Sequence, residues 1–247
     1  MFVRLKPVKI LATVYFWLMA TIGMILTFIV CIICYPFVNQ KTFARIYEYI
    51  FCSFTLKAMT LSGIWSVKFS DLRTDKTWNK RYIVIPNHAS FIDTLLTGLI
   101  PIKKKFIIAR IFTFVPLFNW LCINSGHVPF DKKDKDNGIR SALERSEDAM
   151  KDGCSFAIYP EGKRSSDSDT LLPFKSGPFI LSLKTGVPLL PVVLKGTGVG
   201  MKIGGVCKPA NLEIVIGDPI EIVDGNIEEA IEKSRTFIQK HLNFRIN

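Results

Sequence analysis

The sequence predicts an α/β fold, a mixed, largely parallel sheet flanked by helices, behind an N-terminal two-helix membrane anchor. Three observations predict it. From about residue 66 on, short apolar runs alternate with helical periodicities, the pattern of strands and helices layered on one sheet. Residues 10–38 carry no charged side chain. The chain has 247 residues, a length that suits one domain with an appendage rather than two full domains. The division is 1–65 for the membrane-anchoring helices and 66–247 for the α/β domain.

Composition narrows the classes. The chain is 49% hydrophobic and 21% charged, with 32 Lys and Arg against 21 Asp and Glu and a net charge of +11. Mean hydropathy is +0.28. That is too apolar for a disordered chain. A basic, apolar protein suits an anionic bilayer surface or an anionic substrate. No nucleic-acid-binding motif is found, so nucleic acid is not an expected partner.

The first 70 residues carry Arg4, Lys6, Lys9, Lys41, Arg45, Lys57 and Lys68 against Glu48 alone. As a helix, residues 10–38 would measure about 43 Å at ~1.5 Å per residue, against a hydrocarbon core of about 30 Å. The segment could span a bilayer, or bend near Pro36 and lie partly in the interface. It exceeds the ~7–15 residues of a signal-peptide core, and no small-residue cleavage site follows. Residues 43–65 differ. Phe43, Ile46, Tyr47, Ile50, Phe51 and Phe54 recur at helical spacing, interrupted by Arg45, Glu48 and Lys57. This predicts an amphipathic helix, packed on the first or lying on the membrane, with an ordinary core helix as the plainer alternative. Cys31, Cys34, Cys52, Cys122, Cys154 and Cys207 show no metal-site spacing and read as small apolar residues of a reducing compartment.

In the rest of the chain, residues 82–86, 106–109, 155–159, 187–194 and 212–216 read as buried strands. Helical patterns fall at 92–99, 139–150, 178–184 and 227–242. The last has Glu228, Glu229 and Glu232 early and Lys240 and His241 late, as the helix dipole prefers. Residues 132–136 form a charged, solvated loop.

Two constellations carry chemistry. His88 follows an apolar strand in Asn87-His88-Ala89-Ser90-Phe91-Ile92-Asp93, and a His with a carboxylate can make a general base and its orienting partner. Five positions apart on one helix, they would point about 140° apart at ~100° per residue. They meet if His88 lies in the turn before a helix, with Ser90 as N-cap and Asp93 in the first turn. A plain capping box beside an incidental His fits the same residues. No Gly-x-Ser-x-Gly nucleophile elbow is present, so a base at His88 would activate a substrate hydroxyl. The second constellation is Tyr159-Pro160-Glu161-Gly162-Lys163-Arg164-Ser165. A tight turn with two adjacent cations and backbone N–H groups suits a phosphate, and an exposed turn without a ligand is the alternative. Glu161 could orient Arg164 or bind a substrate hydroxyl.

Together these blocks resemble the glycerolipid acyltransferase family, specifically the bacterial 1-acyl-sn-glycerol-3-phosphate acyltransferases. The first resembles the family's N-H-x-S-x-x-D block and the second its F-P-E-G-T-R-S block, with Lys163 in place of the usual Thr. Gly126-His127-Val128-Pro129-Phe130-Asp131-Lys132, Pro173-Phe174-Lys175-Ser176-Gly177 and Val187-Pro188-Leu189-Leu190-Pro191-Val192 are similar to further blocks. Lys132 stands where Arg is usual, and Lys133 is an equal candidate for that role. The resemblance implies direct acyl transfer from a thioester to the sn-2 hydroxyl of lysophosphatidic acid. His88 would be the base and Asp93 its partner. Arg164 would bind the acceptor phosphate, with Lys163 keeping positive charge beside it, Glu161 and Gly162 shaping the loop, and Lys105 a further phosphate contact; all five read as substrate-binding. It implies no metal and no bound cofactor, with acyl-acyl carrier protein or acyl-coenzyme A as co-substrate. It implies a membrane lipid acceptor, and a location on the cytoplasmic face of the cell inner membrane. His127, where the family has no catalytic histidine, reads as structural. Glycerol 3-phosphate or another lysophospholipid as acceptor, a membrane-bound thioesterase, and a non-enzymatic adaptor are the rival readings.

Overall fold

A computed structural model describes residues 7–131, 138–151, 153–166, 170–201 and 205–242. Helix α1 (Pro7–Cys34) runs into a 3-10 turn at Tyr35–Phe37, where Pro36 ends the α-helical pattern, and α2 (Gln40–Leu61) follows. Then come β1 (Trp65–Asp71), β2 (Ile83–Pro86), α3 (Asp93–Gly98) and β3 (Lys104–Ala109). A second 3-10 turn (Arg110–Phe114) leads to α4 (Pro116–Asn124), β4 (Val128–Phe130), α5 (Gly138–Lys151) and β5 (Ser155–Ala157). The chain closes with α6 (Gly177–Thr185), β6 (Leu189–Lys195), α7 (Thr197–Gly200), β7 (Ala210–Ile216) and α8 (Ile227–Leu242).

The strands form one seven-stranded sheet in the order β1-β7-β6-β2-β5-β3-β4. Every pairing is parallel except β6 with β7, so the sheet is mixed and largely parallel, as the sequence predicts. The central strands β2, β5 and β6 are buried on both faces, which is why they read as unbroken apolar runs. Sequence patterning misses β1 and β4. Both are edge strands. The first alternates apolar and polar residues and is half exposed, and the second is three residues long and contains Pro129, a residue that edges tolerate. Local signals end the helices. Asn39 caps α2 by accepting from the Thr42 N–H at 3.0 Å, and Gly186, in the left-handed region at φ 66°, stops α6.

The N-terminal helices belong to the packed body. In α1 the buried residues are Ala12, Phe16, Ala20, Gly23, Thr27 and Cys31, one stripe of mostly small side chains. A Cβ on Gly23 would come within 2.7 Å of the Phe54 ring, so the absence of one lets α1 and α2 approach closely. The large residues Leu11, Val14, Leu18, Ile29 and Ile33 point outward and are exposed. A helix in water buries its large apolar side chains and exposes polar ones; α1 does the reverse. Its sequence from Pro7 to Phe37 is long and apolar enough to cross a membrane, and only 28% of its most apolar window is buried by the rest of the protein. The helix is tied to the body along its length: Phe16 packs on Trp65, Trp17 on Phe91 and Phe28 on Trp120. Near its start, Thr13 Oγ1 accepts from the Cys207 N–H at 3.0 Å.

Helix α2 lies between α1 and the sheet. Phe51, Cys52, Leu56 and Met59 enter the same apolar core as Leu95, Leu96 and Phe106, and a Cβ on Gly98 would collide with Cys52 Sγ. Of the two predicted anchor helices, only α1 presents a broad apolar face outward; α2 is a core helix that also carries α1. Glu48, which as a charge in the sequence interrupts the apolar face, is buried and pairs with Lys104 of β3 at 3.2 Å. Lys104 Nζ also donates to the carbonyls of Gly98 and Ile100. The second core lies on the other sheet face, beneath α5, α6 and α8.

Removing one partner of a buried ion pair strands the other, at about 3–5 kcal/mol, whereas replacing both by apolar residues is often neutral or stabilising. Glu48→Ala is therefore expected to destabilise by about that amount, and the double variant Glu48→Leu/Lys104→Met to melt near wild type. Thermal denaturation of the two purified variants checks this.

Candidate active site

The site is assembled where β2, β5 and β3, neighbours in the sheet, reach their C-terminal ends, the usual place for a ligand in a parallel sheet. At the end of β2 the Asn87 amide donates to the Leu194 carbonyl at 3.0 Å and accepts from the Leu194 N–H at 2.7 Å. This lends the turn a side chain in place of a strand. The chain then wraps around Asp93. One oxygen, Oδ2, accepts from His88 Nδ1 at 2.8 Å and from the N–H groups of Ala89 and Ser90 at 2.7 Å each. A single oxygen thus closes the turn and holds the imidazole, two roles that the sequence leaves as alternatives. The local geometry differs from the expected capping box. Helix α3 starts at Asp93 itself, with no side-chain cap, and the Ser90 hydroxyl donates to the Met201 carbonyl at 2.7 Å.

A carboxylate can only accept, so His88 Nδ1 carries the hydrogen and Nε2 holds the free lone pair. The imidazole stacks on the Tyr159 ring, with centroids 4.0 Å apart and planes within 19°. Burial, foremost, raises the Tyr159 phenol well above its ordinary pKa and keeps it protonated.

The turn after β5 is bound to the turn after β2. The His88 N–H donates to Glu161 Oε1 at 2.7 Å, and the His88 carbonyl accepts from the Ser165 N–H at 2.7 Å. Glu161 Oε2 accepts from the Leu172 N–H at 2.9 Å. Glu161 is buried, and burial raises its pKa against the opposing pull of those two N–H groups. Its carboxylate engages backbone rather than Arg164 or a ligand. Gly162 turns the chain at φ 68°, a conformation that favours glycine. Gly162, Lys163 and Arg164 are exposed and line one cavity with His88.

That cavity is about 230 Å³ and runs from the cationic turn down an apolar wall formed by Phe51, Leu95, Phe106, Ile108 and Phe118. Lys105 is not on its wall. It is 3% exposed, near the start of β3, where Lys104 pairs with Glu48. Arg110, the first residue after β3, is exposed, its guanidinium 3.5 Å from Asp131, and it is not on the cavity wall either. Lys132 and Lys133 lie outside the described residues. His127 does not form a second dyad with Asp131, because its Nδ1 accepts from the Phe106 N–H at 3.3 Å. Burial, then the charges of Lys105 and Lys104, depress its pKa to about 3. Among the described residues no cluster of His, Cys, Asp or Glu is arranged to hold a metal ion.

Fold and site define an α/β protein that holds a cationic turn and an oriented imidazole over an apolar cavity, the arrangement for an anionic molecule bearing a chain. The comparisons agree with this class. The Acyltransferase family model matches residues 66–195, and the chain belongs to that family. A chloroplast 1-acyl-sn-glycerol-3-phosphate acyltransferase of Brassica napus is 34% identical over 140 residues, 56% of this chain and 40% of the relative. One from Arabidopsis thaliana is 27% identical over 209 residues, 84% of this chain and 58% of the relative. One from Cocos nucifera is 34% identical over 61% of this chain and 49% of the relative. The chain spans about half the length of these curated relatives. The crystal structure of a 1-acyl-sn-glycerophosphate acyltransferase from Thermotoga maritima shares the fold, with a TM-score of 0.78 and 22% identity over 97% of this chain and 98% of that one.

The depressed pKa of His127 has a stability consequence. The unfolded chain takes up a proton below the ordinary histidine value of about 6.5, and the folded chain only near 3. The contribution is therefore complete above about pH 6.5 and is lost as pH falls toward 3. Urea titrations across this range are expected to show wild-type stability falling more steeply than that of His127→Gln, which cannot ionise.

Proposed function

We propose that the protein transfers an acyl chain from a thioester to the sn-2 hydroxyl of 1-acyl-sn-glycerol-3-phosphate, giving phosphatidic acid and a free thiol. The observation that carries this reading is the 2.8 Å contact between His88 and Asp93 on the same cavity as Lys163 and Arg164. His88 Nε2 takes the proton of the acceptor hydroxyl as its oxygen attacks the thioester carbonyl. Asp93 holds the imidazolium that results, as the buried carboxylate of a hydrolase triad does. Collapse of the tetrahedral intermediate breaks the carbon–sulfur bond, and His88 returns its proton to the departing sulfur. Arg164 and Lys163 receive the acceptor phosphate, the first able to bind it through two parallel hydrogen bonds. Glu161 and Gly162 hold the turn in register with His88. Direct transfer is favoured over a thioester on the protein. Cys52 is on the cavity wall, but burial, chiefly, pushes its thiol up to about 12, leaving almost no thiolate to attack.

The apolar wall receives the acyl chain of the donor, which is either acyl-acyl carrier protein or acyl-coenzyme A. Membrane association follows from α1. Because α1 packs lengthwise on the body, it lies in the bilayer surface with its large side chains among lipid tails, so the acceptor need not leave the membrane at roughly 0.8 kcal/mol per CH₂. The excess positive charge of the chain suits anionic lipid. A location on the cytoplasmic face of a cell inner membrane is supported by the six cysteines, all of them free.

Two variants and one omission test this in detergent-purified protein. His88→Ala is expected to lower kcat at least about 100-fold, the contribution of a general base. Arg164→Ala is expected to raise KM for lysophosphatidate about tenfold, the loss of roughly one charged hydrogen bond, with kcat changed less. Without acceptor, thioester should be stable. Rapid hydrolysis there would make the protein a thioesterase, and wild-type turnover by His88→Ala would remove the mechanism.

A further inference from the structure

The cavity has a polar floor that the proposed reaction does not use. Glu48 lines it and is only 5% exposed. Its Oε2 faces Lys104, while its Oε1 is buried with no hydrogen-bond partner among the described residues. A buried acceptor without a partner is destabilising. Lys104 does not relieve it, since its ammonium already serves Oε2 and two carbonyls and has three hydrogens in all. His127 borders the same cavity. Its Nδ1 accepts a backbone N–H, so the neutral ring carries its hydrogen on Nε2. Glu48 Oε1 and His127 Nε2 thus bring one acceptor and one donor to the end of the cavity away from the cationic turn, beside Phe51 and Phe106.

This floor is remote from the reacting centre. Lys104 begins β3, and the site lies beyond the C-terminal ends of the strands. Of β3, the cavity wall takes in Phe106 to Ala109, roughly 10 Å at ~3.3 Å per residue. A thioester reacting at His88 would direct its chain down that length. A saturated tail would leave Glu48 Oε1 unpaired, whereas a hydroxyl donates and accepts at once.

We propose that the deep end of the cavity is a subsite for a hydroxyl group on the outer half of the acyl chain, donating to Glu48 Oε1 and accepting from His127 Nε2. The inference rests on the acyl-transfer reading and names its donor class, thioesters of hydroxylated fatty acids. Calorimetry on the detergent-solubilised full chain tests it with free fatty acids of one length, unsubstituted or with a hydroxyl moved stepwise along the chain. Binding is expected to tighten about tenfold, one buried hydrogen-bonding group satisfied, only for positions in the outer half. The gain should vanish in Glu48→Leu/Lys104→Met, whose melting temperature reports that it is folded. Equal affinity at every position, as when a water already serves Glu48 Oε1, overturns the subsite. So does a gain that survives in the double variant. Turnover of the matching thioesters with lysophosphatidate separates the two readings. If unsubstituted thioester reacts and no hydroxyl position gains, the subsite falls and the function stands. If the calorimetric gain appears without any turnover, the subsite stands and the function falls.

Discussion

One oxygen atom organises the site. Asp93 Oδ2 gathers the His88 imidazole and two backbone N–H groups, and the turn from His88 to Ile92 takes its shape from them. A fully buried carboxylate requires such partners, and here two of the three are supplied by the loop that must be curved for the imidazole to reach. Glu161 repeats the device between loops, joining the peptide of His88 to the segment at Leu172. The imidazole is therefore held from three sides: by a carboxylate at its ring, by Tyr159 under its face, and by the neighbouring turn at its backbone. Stiffness of this kind positions a reacting group without any contribution from the ligand.

Much of this was legible in the sequence, for reasons that also explain what was not. Strands buried on both faces announce themselves as apolar runs, so β2, β5, β6 and β7 were found, while the half-exposed edge β1 and the short β4 were not. The two motif blocks named His88, Asp93, Glu161, Lys163 and Arg164, yet the linear order could not say that Glu161 binds the backbone of His88, a contact between residues 73 positions apart. Charge misled twice. Glu48 read as an interruption of an apolar face because its partner, Lys104, lies on a distant strand. The resemblance points to Lys105 as a phosphate contact, but among three consecutive lysines the linear order does not show which are turned inward, and Lys105 is buried away from the cavity wall.

The same molecule solves two solvation problems in opposite ways. Around the site, polar groups are drawn inward and satisfied by backbone, so that the few exposed cations are left for an anion. Along α1, small residues are drawn inward and large apolar ones face out. The first arrangement suits water and the second an apolar surrounding, and the two meet where Trp17 packs against Phe91.

At that boundary Trp17 of α1 packs against Phe91, their ring centroids 5.8 Å apart, and Phe91 is part of the cavity wall two residues before Asp93. Helix α1 thus touches the loop between His88 and Asp93 through this pair of rings. A displacement of α1 against the body is therefore felt at the cavity wall through these rings.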